Sequence, residues 1–479
     1  MFRRKRLARS GGEGGLMMSL SALSRPSRRA RWAGLPVAAA LGLAALLTPT
    51  AEGQSLIRDT EIEDTIRDFS DPILIAANLD PADVRIRIIN DPVPNAFVAG
   101  GQQIFFHTGL ITTAQNPNEL IGVIAHETGH IAGGHLARSR QAMQDAALPA
   151  YIAMGVGILA IAAGQPEAGI SLLSGAPAFA QGAFVRHTQV QESAADQAAV
   201  TFLDATGQSG RGLISYFDRQ FRPNEFMTRR VPAYMLTHPF TSDRVEALRQ
   251  RVEGSPFADA QDSPEDMRRF QMMRAKIIGF LRPVSETFSL YPASDLSLPA
   301  RYARAIAFYR RPDFPRATQE IAALIEEHPD NPYFQELMGQ MLFERGMAAE
   351  SLPYHRRSLE LLPGEPLFQV NLARALNAAG GRAHLEEAVA LLTAATHTEP
   401  DNALAWREMS TAQGELGDQG LALLASAEQY FVGGNLPMAQ NFAERARRSL
   451  APQTVSWRRA DDLVMLTRNG LRDVAQQRP

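Results

Sequence analysis

Asn116–Ala132 reads NPNELIGVIAHETGHIA, and His126-Glu127-Thr128-Gly129-His130 within it decides how the rest of the chain is read. Asn116 suits a helix N-cap, Pro117 the first turn, and Glu119 stands three residues after the cap, so a helix is predicted to start here. Leu120, Ile121, Ile124, Thr128 and Ile131 give that helix a buried face. Four residues is slightly more than one turn, so His126 and His130 project from one side and can share a metal ion. Glu127, between them, can reach a water on that ion and accept its proton. Cysteine is absent from all 479 residues, which excludes disulfides, thiolate metal sites, a Cys nucleophile and a lipidated N-terminal Cys. Any metal must therefore be held by histidine and carboxylate.

A third ligand has two candidates. His135 follows Gly133, but the histidine of an H-x-x-G-x-x-H pattern would fall at position 136, which is Leu. On a continuous helix His135 also points away from His130, so a supporting or helix-end role is expected for it. Glu192, in Gln191-Glu192-Ser193-Ala194-Ala195-Asp196, is the better candidate. Glu192 and Asp196 are four apart on a probable helix. One carboxylate can ligate the metal while the other accepts the N–H of a ligand histidine. Two His, one Glu and a water make the open, catalytic form of a zinc site.

Outward from this site the chain divides. Residues 1–34 carry nine basic side chains and one acid, and Leu35–Leu47 is an apolar run followed by small residues at Ala51 and Gly53. That order predicts an export signal cleaved near residue 53, shorter than a spanning helix requires, and so a periplasmic protein. The whole chain is close to neutral at −3, but from Gln54 onward 39 bases face 49 acids. A body that acidic excludes a nucleic-acid binder. Residues 54–252 are expected to form the metal-binding domain, with strands at Val84–Asn90 and Gln103–His107. Residues 253–297, rich in Pro, Ser and Asp, read as a linker around one helix, Glu265–Leu281. Ala146–Gly164 carries no charge yet is too rich in Ala and Gly for a spanning helix. A lid or hairpin over the cleft, or contact with a membrane surface, remains open for it.

Residues 298–452 repeat. Pro329 to Pro363 is 34 residues and Pro363 to Pro400 is 37, and Pro-Asp-Asn at 329–331 recurs at 400–402. In that register Ala305, Gly339 and Ala373 are equivalent, as are Ala317, Ser351 and Ala388, and Trp406 opens the next unit. This is the spacing of tetratricopeptide repeats, which bind partners and do no chemistry themselves. Residues 453–479 are left as a C-terminal helix or tail.

The stretch Asn95-Ala96-Phe97, Gly100-Gly101, Ile104–Leu110, then HETGH, then E-S-A-A-D, resembles the gluzincin family that contains HtpX and the CaaX prenyl proteases. With an export signal and C-terminal repeats, the chain is similar to the soluble periplasmic branch of that family, the β-barrel assembly-enhancing proteases. The resemblance implies that His126, His130 and Glu192 hold one zinc ion, that Glu127 is the general base, and that Asp196 orients a ligand. It also implies that His238, in Thr237-His238-Pro239, can occupy the open zinc position, and that Arg244 stands near the reaction. The residues alone leave His238-Pro239 equally readable as a turn. Either His238 or Arg244 is expected as a donor to the oxyanion. Asn95, Ala96 and Phe97 would lie on an edge strand that docks an extended substrate. Ala194 stands where one variant of the family pattern carries Glu.

The expected fold is an α+β zinc metalloprotease domain, mainly helical with a small sheet, followed by an all-α tetratricopeptide-repeat solenoid. The expected function, by resemblance, is zinc-dependent proteolysis of misfolded or stalled outer-membrane proteins, with the repeats contacting the barrel-assembly machinery. The competing reading is a repeat-based chaperone or scaffold whose protease activity is latent or minor.

Overall fold

The computed structural model describes residues 56–138, 188–220, 238 and 241–476. Residues 1–55, where the export signal is expected, and the uncharged segment 146–164 lie outside the described residues. A four-stranded sheet comes first: β1 (Leu56–Ile57), β2 (Arg85–Ile89), β3 (Ala96–Ala99) and β4 (Gln103–His107), in the order β1-β2-β4-β3. β2 and β4 run parallel with Ile88 opposite Phe106, while β3 is antiparallel to β4 with Phe97 opposite Phe105. Gly100 and Gly101, both at positive φ, turn the chain between β3 and β4, a conformation that glycine adopts without steric cost. β3 is thus an edge strand, its second side unpaired among the described residues. The expected strand at 84–90 is one residue shorter at each end, and Asp91-Pro92 stops it.

Helices α1 (Thr60–Ala76), α2 (Thr108–Thr113), α3 (Pro117–Ala132), α4 (188–205), α5 (Arg211–Gln220), α6 (Ser242–Glu253), α7 (Pro264–Leu281) and α8 (Val284–Leu290) follow the sheet or pack around it. α3 starts as its sequence predicts: the Asn116 side chain accepts from the Glu119 N–H at 2.9 Å. Glu119 departs from a simple capping box. Its carboxylate reaches past the cap to the Gln115 N–H (2.8 Å), takes the Ser215 hydroxyl (2.7 Å) and pairs with Arg219, so it ties α3 to α5. The helix is also buried almost all round, not on one face: every residue from Glu119 to Gly129 is inside. A helix surrounded in this way serves as the central post of its domain.

One hydrophobic core joins Ile66 and Ile73 of α1, Ile88, Ile104 and Phe106 of the sheet, Leu120 and Ile124 of α3, Leu203 of α4, Phe217 of α5, and Phe270, Met273 and Ile277 of α7. The segment that reads as a linker therefore supplies part of this core. The reason lies in α7 itself, whose apolar residues at 270, 273 and 277 follow a helical period and face inward together.

Ten helices complete the chain: α9 (Leu298–Arg310), α10 (Phe314–Glu327), α11 (Pro332–Glu344), α12 (Ala348–Leu361), α13 (Pro366–Ala379), α14 (Arg382–Thr398), α15 (Ala403–Leu416), α16 (Gln419–Val432), α17 (Leu436–Ser449) and α18 (Val455–Gln476). From α10 on, each packs mainly on its neighbours in sequence, which makes a helical repeat region. Ala305, Ala317, Ala373, Ala388 and Ser351 are wholly buried, as small residues must be where helix backbones approach closely. The protein is mostly helical with a small mixed sheet. Among the described residues no helix is long and apolar enough to cross a membrane.

The first helix ties the two parts together. Buried Lys276 of α7 lies 2.8 Å from Asp59 and 3.3 Å from Glu61, and the Tyr302 hydroxyl of α9 donates to Glu61 at 2.9 Å. Further out, Arg85 and Arg87 both reach Asp401, at 3.2 Å each. Those exposed pairs add little stability; the buried cluster sets the geometry.

Candidate active site

α3 and α4 carry the site, and glycine lets them meet. A Cβ on Gly129 would lie 2.8 Å from the Ala195 carbonyl oxygen, so any larger residue in the middle of HETGH would push the two helices apart. Gly122 and Gly212 perform the same service between α3 and α5. With the helices this close, Glu192 faces both histidines of α3.

The ligating atoms converge. One donor atom each from His126, His130, Glu192 and His238 lies within 4.8 Å of all the others. His126 Nε2 is 3.1 Å from His130 Nε2, 3.4 Å from Glu192 Oε2 and 3.2 Å from His238 Nδ1. His130 Nε2 is 3.3 Å from Glu192 Oε1, and His238 Nδ1 is 3.1 Å from Glu192 Oε2. A tetrahedron of N and O ligands about 2.0–2.1 Å from a central ion has edges of roughly 3.3–3.4 Å. Five of the six separations among the four groups, from 3.1 to 3.4 Å, are close to that spacing. The donor set is nitrogen and oxygen, as the absence of cysteine requires, and it suits a first-row divalent ion.

The surroundings fix how each ligand presents itself. Asp196 Oδ1 lies 2.9 Å from His126 Nδ1, so the proton sits on that nitrogen and the Nε2 lone pair points inward. His130 makes the corresponding outer contact with His135, Nδ1 to Nδ1 at 3.0 Å. His135 is therefore neither at the centre nor idle; it supports a ligand from behind. Arg244 donates to Asp196, including Nη2 to Oδ1 at 2.9 Å, and its Nη1 lies 2.9 Å from Glu192 Oε2. Its guanidinium also sits over the Phe217 ring at 5.4 Å, and Phe217 meets His126 edge-on at 6.0 Å. Committed to two carboxylates, Arg244 braces the acids of α4 and does not stand free as an oxyanion donor.

Glu127 is fully buried, and neither carboxylate oxygen has a hydrogen-bond partner among the described residues; His238 Nε2 lies 3.3 Å from Oε1. A buried carboxylate left so costs several kcal/mol unless something in the site uses it. His238 Nε2 also lies 3.3 Å from the Ala96 carbonyl oxygen, which places edge strand β3 directly beside the converging ligands. Asn95 anchors that strand, its carbonyl accepting from the His107 N–H at 3.0 Å, and Phe97 stacks on Phe105 with ring centroids 5.0 Å apart.

The electrostatics follow the contacts. Burial alone would raise the pKa of Glu192, but His238, His126 and His130 outweigh it and hold the carboxyl well below its usual range. For Asp196 burial again opposes ionisation, and Arg244 and His126 overcome it to keep the acid ionised. His126 feels the mirror image: burial disfavours its cation, yet Asp196 and Glu192 push its pKa up to about 9. Carboxylates crowded around these imidazoles favour positive charge, carried by a protonated histidine or by a bound cation.

All five residues expected at the metal and its support, together with His238 and Asn95–Phe97, are brought to one place. Two participants escaped the sequence reading. Phe217 had no local signal. Gly129 had one, since a glycine inside a helix marks a close approach.

A catalytic metal centre on two crossing helices, beside a small sheet, defines a metallopeptidase. Residues 57–252 match the model of peptidase family M48. It is similar to the β-barrel assembly-enhancing protease of Yersinia pestis, 25% identical over 394 residues that cover 80% of this chain and 79% of that protein. A putative β-barrel assembly-enhancing protease of Vibrio cholerae is 25% identical over 426 residues, 87% of this chain and 86% of that one. The Escherichia coli K12 β-barrel assembly-enhancing protease is 24% identical over 391 residues, covering 80% and 78%. The solved tetratricopeptide-repeat protein YrrB covers 36% of this chain and 91% of its own at TM-score 0.31 and 15% identity, too slight a likeness to bear on the repeats.

Proposed function

We propose that this protein is an exported, periplasmic zinc metalloendopeptidase. In this reading it removes misfolded or stalled outer-membrane barrel proteins that tetratricopeptide-like repeats at 298–452 recruit, alongside the barrel-assembly machinery. The observation that carries it is the convergence of His126, His130, Glu192 and His238 with an unpartnered, buried Glu127 beside them. His126, His130 and Glu192 hold the ion; Asp196 and Arg244 keep His126 and Glu192 in place. When bound, zinc supplies Lewis acidity, polarising the scissile carbonyl and acidifying water. Glu127 takes the proton from the attacking water and passes it to the leaving amine nitrogen. β3 offers Asn95, Ala96 and Phe97 as an edge on which an extended segment pairs by backbone hydrogen bonds. That docking mode suits unpaired β-strands, the form in which an unassembled barrel protein presents itself.

His238 fills the fourth place among the donors, where a substrate carbonyl would otherwise sit. A resting, latent state follows from this, with His238 leaving when substrate pairs with β3 and its imidazole then available to the oxyanion. The same contact favours a second reading, a repeat-based assembly scaffold with minor proteolysis. One experiment separates them: measure metal content, degradation of an unfolded barrel protein, and barrel assembly in cells for the wild type, Glu127→Gln and His238→Ala. Stoichiometric zinc, loss of degradation in Glu127→Gln and faster degradation in His238→Ala support the peptidase. Assembly fully supported by Glu127→Gln supports the scaffold. A wild type without zinc, or a Glu127→Gln protein that still cleaves, overturns the peptidase.

A further inference from the structure

One buried position departs from the pattern of its own repeats. In the register that aligns Ala317, Ser351 and Ala388, the residue four further on is Ile321, His355 and Leu392. Ile321 and Leu392 are fully buried hydrocarbon. His355 is equally deep, 2% exposed, but its Nδ1 has no hydrogen-bond partner. Leaving such a group unpaired forfeits stability that an aliphatic residue at this place would keep. The neighbouring sequence makes room for the ring. Gly339 stands where the flanking repeats have Ala305 and Ala373, and a Cβ there would lie 2.7 Å from His355 Cε1.

His355 lines a cavity of about 380 Å³ at the junction of the repeats with α7 and the start of α1. Its apolar walls include Ile277, Phe280, Phe343, Phe368 and Leu404. The charged lining is mostly committed elsewhere: Lys276 to Asp59 and Glu61, and Arg58 to Glu63 and Glu399. Asn371 donates to Glu336, whose pKa burial pushes up to about 7. Arg374 reaches Glu408 only at 4.0 Å and lies 5.0 Å from the Phe343 ring centroid, so its guanidinium is presented beside an aromatic face. Burial, and then Arg374, hold His355 down at about 4 against a backbone hydrogen bond with Gly339, so its imidazole is neutral and Nδ1 is the nitrogen left without a partner. A neutral imidazole offers one N–H and one lone pair.

We propose that this cavity binds a tyrosine side chain of a client polypeptide, its hydroxyl hydrogen-bonded to His355 and its ring among Phe343, Phe368 and Arg374. A phenol both donates and accepts, so it satisfies Nδ1 in either tautomer. It is also aromatic, which the walls and the guanidinium favour. A phenylalanine fills the same space but leaves the imidazole unpaired. The cavity then acts as an anchor remote from the metal, selecting which segments are held near the cutting site. That the tyrosine belongs to a client rests on the peptidase reading; the binding itself does not.

The test uses the full mature chain carrying Glu127→Gln, titrated calorimetrically with a capped Gly/Ser pentapeptide centred on Tyr and with its Phe and Glu counterparts. The Tyr peptide is expected to bind about tenfold tighter than the Phe peptide, and the Glu peptide not at all. His355→Leu should bring Tyr affinity down to the Phe level. Gln340→Trp, on the partly exposed lining, should block both peptides, and it keeps the proposal testable if His355→Leu misfolds. Tyr and Phe affinities within threefold of each other, undiminished Tyr binding in His355→Leu or Gln340→Trp, or no saturation by Tyr peptide at millimolar concentration would each overturn the proposal. Tyr binding as expected in a protein whose wild type cleaves nothing would defeat the peptidase reading and leave the anchor standing.

Discussion

In the repeats, Ala305, Ala317, Ala373 and Ala388 are fully buried, and from α10 on each helix packs mainly on its neighbours in sequence. In the peptidase part, His126, Glu192 and Asp196 are just as deep, but they find partners far along the chain. His238 meets Glu192 across 46 residues and His126 across 112. The repeats thus gain order from hydrocarbon and short contacts, while the peptidase part spends stability to hold ionisable groups in low dielectric. Such groups are tolerated only where each has a partner or a task. Substitutions in the first part should therefore report on chemistry, and in the second on packing.

The largest effect expected tests that division directly. Glu127→Gln should lower the rate of client cleavage by about 10²–10⁴-fold while metal content and melting temperature stay at wild-type levels. A variant that unfolds would show that the carboxylate is a structural member after all. Asp196→Asn comes next: with His126 less firmly oriented, metal affinity should fall about 10–100-fold in a chelator competition. An unchanged affinity would mean that Arg244 and Glu192 suffice to hold the ligands.

On the packing side, Ala373→Leu should cost about 1–3 kcal/mol in urea unfolding, because a wholly buried contact between repeat helices has no room for the added carbons. Metal affinity should not change. Loss of the metal in this variant would show that the two parts fold as one, a possibility sharpened by the Lys276 cluster between them.

A further effect, read as a dependence on pH, concerns that cluster. Burial, reinforced by Asp59 and Glu61 and opposed by Lys276, pushes Glu336 to about 7 from an ordinary 4.5. The folded state holds the proton more tightly than the unfolded chain does. The stabilisation from Glu336 is thus complete below about 4.5 and declines as pH rises to about 7. Glu336→Gln should gain on the wild type in urea midpoint between pH 5 and pH 8. A constant difference across that range would remove Glu336 as the source.

The sequence was legible wherever cause and effect are close along the chain. The i,i+4 spacings placed His126 with His130 and Glu192 with Asp196, each pair on one helix, because a helical turn is a local object. Asn116 and Pro117 marked the start of α3 for the same reason, and a spacing near 34 marked helical repeats, since each unit packs on its neighbour. The 253–297 segment was misread because its Pro, Ser and Asp content outweighed the inward face of α7 at Phe270, Met273 and Ile277. Arg244 was expected near the reaction, but nothing local to it shows that its guanidinium is committed to Asp196 and Glu192.

By itself, then, the sequence determined the helices, the repeats, and a set of His and carboxylate side chains with the chemistry to hold a metal. Only the tertiary structure decided how these meet. The approach of α3 to α4 at Gly129, the place of His238 among the donors, the bracing by Arg244 and the cavity beneath His355 depend on contacts between distant segments. Such contacts form only when a shared core fixes several elements at once, and no local pattern encodes them.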